Sequence, residues 1–379
     1  MSITPRQLEI QTSHIQDAYM ALEDELTRML IKVLNQPTRT SLNQNNSLLW
    51  KIEKMSQLNM LNTHTLQNIA NQTRNYSYEQ LQKIIIDSGH QIVGELDQQI
   101  YQQTGQVLPN TIDNLLESLF NQQWLELDNH VNQTLINTNY PNNSLSQAYQ
   151  QVLNDIVAKV TTGLMAPDQA LRRAIYEWSE RGIMSSFVDK SGRQWSLERY
   201  VRMVLRTTTH RTYQDARLKR GLEYGIVTAL MSEHHAARPA CAPIQGGWVL
   251  LVPKEDAPEE LQHLPSIYNH GYGEPGGTQG INCMHRLYIQ IYDPELVIEK
   301  KYDQEQAMRN AEIVSKQRRM EVAIRNAKKQ LNAANALGNK EDIQHFSKLV
   351  RKRQSAIRTF ISEYKEILHR DYSREAVFS

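Results

Sequence analysis

Ser232-Glu233-His234-His235-Ala236-Ala237-Arg238-Pro239-Ala240-Cys241-Ala242-Pro243-Ile244-Gln245-Gly246-Gly247-Trp248, continued by Gly271-Tyr272-Gly273 and by Gly280-Ile281-Asn282-Cys283-Met284-His285, is the stretch whose reading decides the fold. Both cysteines of the chain lie in it, each near a histidine, and glycine and proline hold the spacing. So many turn formers cannot sit in one continuous helix or strand. A compact, irregular centre is therefore expected between Ser232 and His285, with long polar helices on both sides.

Three apolar runs border this centre. Ile226 to Met231 carries β-branched Ile226, Val227 and Thr228; Gly246 to Pro253 follows; Leu287 to Tyr292 closes on Asp293-Pro294. Each reads as a short strand, and together they predict a small sheet. Upstream, Leu197 to Arg220 reads as a helix rich in arginine, with Arg199, Arg202 and Arg206 on one face. With Glu198 and Asp215 nearby, a solvated face of ordinary ion pairs is the first reading, and contact with phosphate or an acidic partner the second. Before it, Asp189 to Arg193 is a turn between the strand-like pieces Ser186–Val188 and Gln194–Ser196.

Further out, residues 1–144 read as amphipathic helices with amide-rich faces. Tyr19, Leu22, Leu26, Met29, Leu30 and Val33 recur at three- and four-residue steps. Later helices are expected over Leu48–Leu61, Tyr78–Leu96 and Ile112–Ile136, with breaks at Asn71–Ser77, Gly105–Asn110 and Asn139–Ser144. Downstream, Gln304 to Leu337 has neither Pro nor Gly; Gly338-Asn339 interrupts, and a second helix runs toward His369. Two long helices joined by so short a turn predict an antiparallel hairpin. From Asp303 onward 16 Lys or Arg stand against 10 Asp or Glu. The fold class is thus α+β: mainly helical, with a small central sheet and a C-terminal helical hairpin. Three domains are expected: an Asn/Gln-rich helical one over 1–144, a central α+β one carrying the Cys/His motif over 145–300, and a basic hairpin over 301–379.

Composition sets outer bounds. With 379 residues the chain has length for several domains, and 40% apolar residues supply a core. A net charge of +1 points to no partner, so only local clusters of charge can. Two cysteines make no disulfide framework, and neither a signal peptide nor an apolar run of about 18 residues stands out. Synthesis in a reducing cytoplasm and no membrane partner are the expectations.

Three chemistries suit the centre. Zinc takes thiolates and imidazoles in a tetrahedron, and His234 (or His235), Cys241, Cys283 and His285 give four ligands. Cys-x-His is tighter than the usual pair spacing and the first pair is loose, so zinc is the candidate cofactor and none the default. A thiol nucleophile needs a base and a group to orient it: Cys283 with His285 or His234, and Asn282, Gln245 or Asp293 as third group. The third reading makes both cysteines small buried side chains, with the histidines hydrogen-bonded in the core and Arg238 pairing with an acid or capping a loop.

Ser232-x-His234, Ala237-Arg238-Pro239-x-Cys241, Gln245-Gly246, Tyr272-Gly273 and Gly280-x-Asn282-Cys283-x-His285 together resemble the signature of the tailed-phage minor capsid protein 2 family. That family is related in role to minor head proteins of the Mu F type. The likeness extends to Tyr200-Val201-Arg202-Met203, Arg206-Thr207, Tyr302, Gln317-Arg318-x-Met320-Glu321, Ile324-Arg325, Arg358-x-Phe360, Arg370 and Arg374, and more weakly to Trp50-Lys51 and Leu58. It implies a minor capsid protein inside the head or at the portal vertex of the virion, in several copies, joining in the host cytoplasm during assembly. The implied partners are the portal protein, the major capsid protein and packaged double-stranded DNA. Arg318, Arg319, Arg325, Lys328, Lys348, Arg351 and Arg358 of the basic hairpin are the candidates for contact with DNA or an acidic surface. The competing expectation is a Cys/His-centred hydrolase, nuclease or zinc-binding domain delivered with the genome.

Overall fold

A computed structural model describes residues 5–62, 65–109, 112–136 and 144–377. Helices α1 (Pro5–Asn35), α2 (Ser47–Asn62), α3 (Thr65–Thr104) and α4 (Asp113–Leu127) come first. A π-helical turn (Asp128–Asn132) then leads into α5 (Gln133–Ile136). There follow α6 (Ser144–Thr161), α7 (Pro167–Arg181), β1 (Met184–Val188), β2 (Gln194–Ser196) and α8 (Leu197–Glu223). The centre contributes β3 (Thr228–Met231), β4 (Trp248–Leu250) and β5 (Leu287–Ile289), and the chain ends on α9 (Gln304–Leu337) and α10 (Lys340–Glu363). The α+β class therefore holds, with the hairpin turn where Gly338-Asn339 put it.

The chain divides into two compact units. Unit 1 comprises residues 1–14, 79–125 and 203–316; unit 2 comprises 15–78, 126–202 and 317–379.

In unit 1 the sheet has the order β4-β3-β5, antiparallel throughout. β3 is its central strand, with Ala229 opposite both Val249 and Ile289. Alternation decides which side chains go inward: Ala229, Met231, Val249, Leu287 and Ile289 are all buried. They pack with Leu218, Ile226, Ile244, Ile267, Cys241 and Cys283, and with Leu96 and Ile100 of α3. The strands are shorter than the apolar runs that announced them, because residues beyond the paired positions leave for the loops. Arg220 on α8 is buried and grips both carboxylate oxygens of Asp97 at 2.7 and 2.9 Å.

In unit 2 the expected break at Asn71–Ser77 is continuous helix, part of the 40-residue α3. Poor helix formers are tolerated there because tertiary bonds outweigh propensity. Arg74 makes a two-pronged ion pair with Asp128 (2.6 and 3.1 Å), and Ser77 returns its hydroxyl to Thr73 O. The break at 105–109 is observed, whereas the one expected at 139–144 lies outside the described residues up to 143. The hairpin closes on Gly338, which sits at φ +71° and donates its N–H to Ala334 O. Asn339 then caps α10 by accepting from Asp342 N at 2.9 Å.

Candidate functional site

The loops around β3 bring Cys241, Cys283 and His285 together. Cys241 leaves a turn in which its N–H and that of Ala242 both donate to Arg238 O at 2.9 Å. Cys283 and His285 arrive on a loop with two non-glycine residues in the left-handed region, Gln279 (φ 59°) and Asn282 (φ 58°). Gln279 is held there by donating to His285 O at 2.8 Å, and the N–H of Asn282 donates to Thr207 Oγ1 at 3.2 Å. Gly280 is required: a Cβ there would fall 2.0 Å from Glu274 O. Arg238 caps the same loop, donating to Pro275 O at 3.2 Å and Ile281 O at 2.5 Å, so the loop-capping role anticipated for it is the one it fills.

Within the cluster the two Sγ atoms are 3.9 Å apart, and Cys283 Sγ lies 3.5 Å from His285 Nδ1. His285 Nε2 is 2.8 Å from Gln245 Oε1, which also accepts the main-chain N–H of His234 at 3.1 Å. All three cluster side chains are buried, Cys283 being 3% and His285 4% exposed. Donation from the Cys241 thiol holds Cys283 well below the usual thiol range. The same bond, together with burial, pushes Cys241 up.

Of the four sequence-nominated ligands, His234 stands apart. Its Nε2 lies 3.1 Å from Met284 O, and its ring packs edge-on against His285 at 4.6 Å. Burial pushes its pKa down to about 4, so the ring is neutral and its Nε2–H steadies the Cys-Met-His turn. Three further residues had no signal in the local pattern. His210 on α8 places Nε2 3.0 Å from His285 O; Thr278 Oγ1 stands 3.8 Å from Cys241 Sγ; Gln279, inside the Gly-rich run, donates to His285 O. The start of α9 is tied to the same stretch, since Glu233 accepts from the N–H groups of Lys301 and Tyr302 and Asn310 donates to His235 O.

The hairpin cations separate into two sets. Arg325 is buried, pairs with Glu198 at 3.0 Å and donates to Arg374 O, so it is an internal partner and not a surface cation. Lys328 donates to Glu375 O at 2.8 Å, and Arg318 is engaged by both oxygens of Glu321. Arg319, Lys348, Arg351 and Arg358 are exposed, as is Lys352. On α8, Arg202 pairs with Glu198 and Arg220 with Asp97, while Arg199 is exposed over the Trp195 ring. A cavity of about 440 Å³ lies in unit 2, lined among others by Met20, Glu23, Thr27, Ile31 and Lys329, and no residue of the Cys/His cluster borders it. Among the described residues no helix is long and apolar enough to cross a membrane.

These features define a mainly helical α+β protein braced by a buried thiol–imidazole cluster and carrying a cationic hairpin. The family model for phage minor capsid protein 2 matches residues 3–362, and the chain belongs to that family. It is similar to a structural protein of Lactococcus phage LL-H, 34% identical over 367 residues that cover 96% of this chain and 98% of the relative. A structural protein of Lactococcus phage mv4 is 42% identical over 113 residues, 30% of this chain and 91% of the relative. No solved structure matches. Family membership makes the chain a phage minor capsid protein, a structural component of the virion.

Proposed function

We propose that the chain works at the portal vertex on the inner side of the capsid, in several copies, bridging the portal protein, the major capsid protein and the packaged DNA. The observation that carries this reading is the outer face of α10. Lys348, Arg351, Lys352 and Arg358 are all exposed, and none is held by an acid among the described residues. At about 100° per residue they fall within an arc of roughly 120°. A row of cations along one helix suits phosphate or a carboxylate-rich protein surface, and needs no sequence readout.

Burial of Cys283 and His285 supports the same architectural reading. A nucleophile that attacks a polymer must meet it, and this sulfur is enclosed by the core. The centre acts as a rigid node, and the work of the protein is in what its helices grip.

Two measurements test this. Mass spectrometry and a density map of purified virions should find the chain at the portal vertex; its absence from heads in which the portal is plainly seen would sink the proposal. For DNA, the purified chain should bind with a log–log salt slope that falls by roughly 0.9 per phosphate contact removed. Replacing Lys348, Arg351, Lys352 and Arg358 with Ala should therefore flatten the slope by about 3 to 4. An unchanged slope would take the DNA contact away from α10.

A further inference from the structure

We propose that Cys241, Cys283 and His285 bind one thiophilic divalent cation of the zinc class, which pins the two loops of the centre together as a structural metal. The inference goes beyond the portal reading and is independent of where in the virion the chain sits.

The first support is distance. With Zn–S near 2.3 Å and Zn–N near 2.0 Å, a tetrahedron sets neighbouring ligand atoms about 3.8 Å (S to S) and about 3.6 Å (S to N) apart. The observed Sγ–Sγ and Sγ–Nδ1 separations are 3.9 and 3.5 Å, and the three donor atoms all lie within 4.8 Å of one another. A disulfide needs its sulfurs about 2.05 Å apart, so a bridge would require the loops to close by nearly 2 Å.

The second support is the tautomer of His285. Gln245 Oε1 accepts the His234 main-chain N–H, and this fixes which end of the amide is oxygen. An oxygen facing His285 Nε2 at 2.8 Å obliges that nitrogen to carry the proton. The lone pair of the neutral ring then lies on Nδ1, the atom that faces the sulfurs. A metal-bound histidine needs this arrangement: one nitrogen on the ion, the other held by an outer hydrogen-bond acceptor.

The third support is charge. Two thiols each lose a proton to solvent as the ion binds, and a dication with two thiolates and a neutral imidazole sums to zero. Neutrality suits a site whose ligands are all buried. For the fourth position an oxygen is at hand, since Thr278 Oγ1 is 3.8 Å from Cys241 Sγ and fully buried.

The test uses the full chain, expressed without a metal-binding tag and purified without chelators. Elemental analysis should give close to one zinc per chain, released by an organomercurial thiol reagent. Cobalt exchanged into the site should show tetrahedral d–d bands and a thiolate charge-transfer band. Cys241→Ser and Cys283→Ser should each abolish binding. Because those variants can also fail to fold, Gln245→Ala is the second arm: it leaves all three ligands in place and should weaken zinc affinity about 10- to 100-fold. The proposal is overturned if folded wild-type protein takes up no zinc or cobalt while both thiols titrate after unfolding. It is equally overturned if unfolding without reductant exposes no thiol, which would mean a disulfide.

Discussion

Two buried centres, one in each unit, satisfy their polar groups in opposite ways. Around β3, unit 1 uses neutral groups on loops: thiols, imidazoles, amides and main-chain carbonyls, tied by short bonds across turns. Around Glu198, unit 2 uses full charges on helices. Glu198 receives Arg202 at 3.1 Å, Arg325 at 3.0 Å and Lys329 at 2.6 Å, and Lys329 also reaches Glu23 at 3.3 Å. Loops can bend their backbone toward a partner, so weak neutral donors suffice. Helices cannot bend in that way. Long charged side chains must span the gap, and the resulting node depends on every member being present.

That difference predicts which substitutions hurt most. Glu198→Ala should be the most damaging single change, costing about 3–5 kcal/mol in urea unfolding, because three cations lose their shared partner in a buried place. The same carboxylate gives the node a pH dependence. Burial alone would raise its pKa, but Lys329, Arg325 and Arg202 outweigh burial and hold it at about 2, against 4.5 for an ordinary glutamate. A depressed folded-state pKa means the stabilisation is present above pH 4.5 and drains away as pH falls from there toward 2. The amount is about 3 kcal/mol. A Glu198→Ala loss under 1 kcal/mol would erase the contrast between the units.

Next in size is a test of the loop-built side. Gly280→Ala should cost about 3 kcal/mol, since the added methyl meets the main-chain oxygens of Glu274 and Pro275, which cannot rotate away. Gly276→Ala, four residues earlier, meets nothing within 4 Å and should stay within about 0.5 kcal/mol of wild type. Equal effects at the two positions would mean the loop is looser than its close backbone approaches indicate.

Legibility in the sequence followed the range of the forces involved. The α9–α10 turn was readable because Gly338 and Asn339 act on their own neighbours. The centre was readable as a composition, and its strands as β-branched runs. Glu198 and Arg202 could be read as an i, i+4 pair, but their meeting with Arg325 and Lys329, more than 120 residues on, has no local trace. For that reason Arg325 looked like a surface cation. Asn71–Ser77 looked like a break for the complementary reason: the partner that keeps it helical, Asp128, is 54 residues from Arg74. At the site, motif residues pointed to the right loops, yet only the fold distinguishes His285, whose Nδ1 faces a sulfur, from His234, whose Nε2 is taken by Met284 O.

Apart from the Gly276 control, the smallest effect is expected where helix and loop use the same kind of bond, a side chain on a main-chain group. Arg238 in the centre holds two carbonyls of one folded-back loop, whereas Asn339 holds the single N–H of Asp342 at the start of α10. Losing the cap frees one N–H that water can reach, whereas losing Arg238 frees two carbonyls of one loop at once. Asn339→Ala should therefore cost only about 1 kcal/mol, the worth of an N-cap, with the helix content of α10 otherwise kept. Amide exchange should quicken in the first turn of α10 and nowhere else. If instead the whole α9–α10 pair opened, the hairpin would owe its closure to this cap more than to Phe346, Val350 and Ile357, the buried stripe of α10.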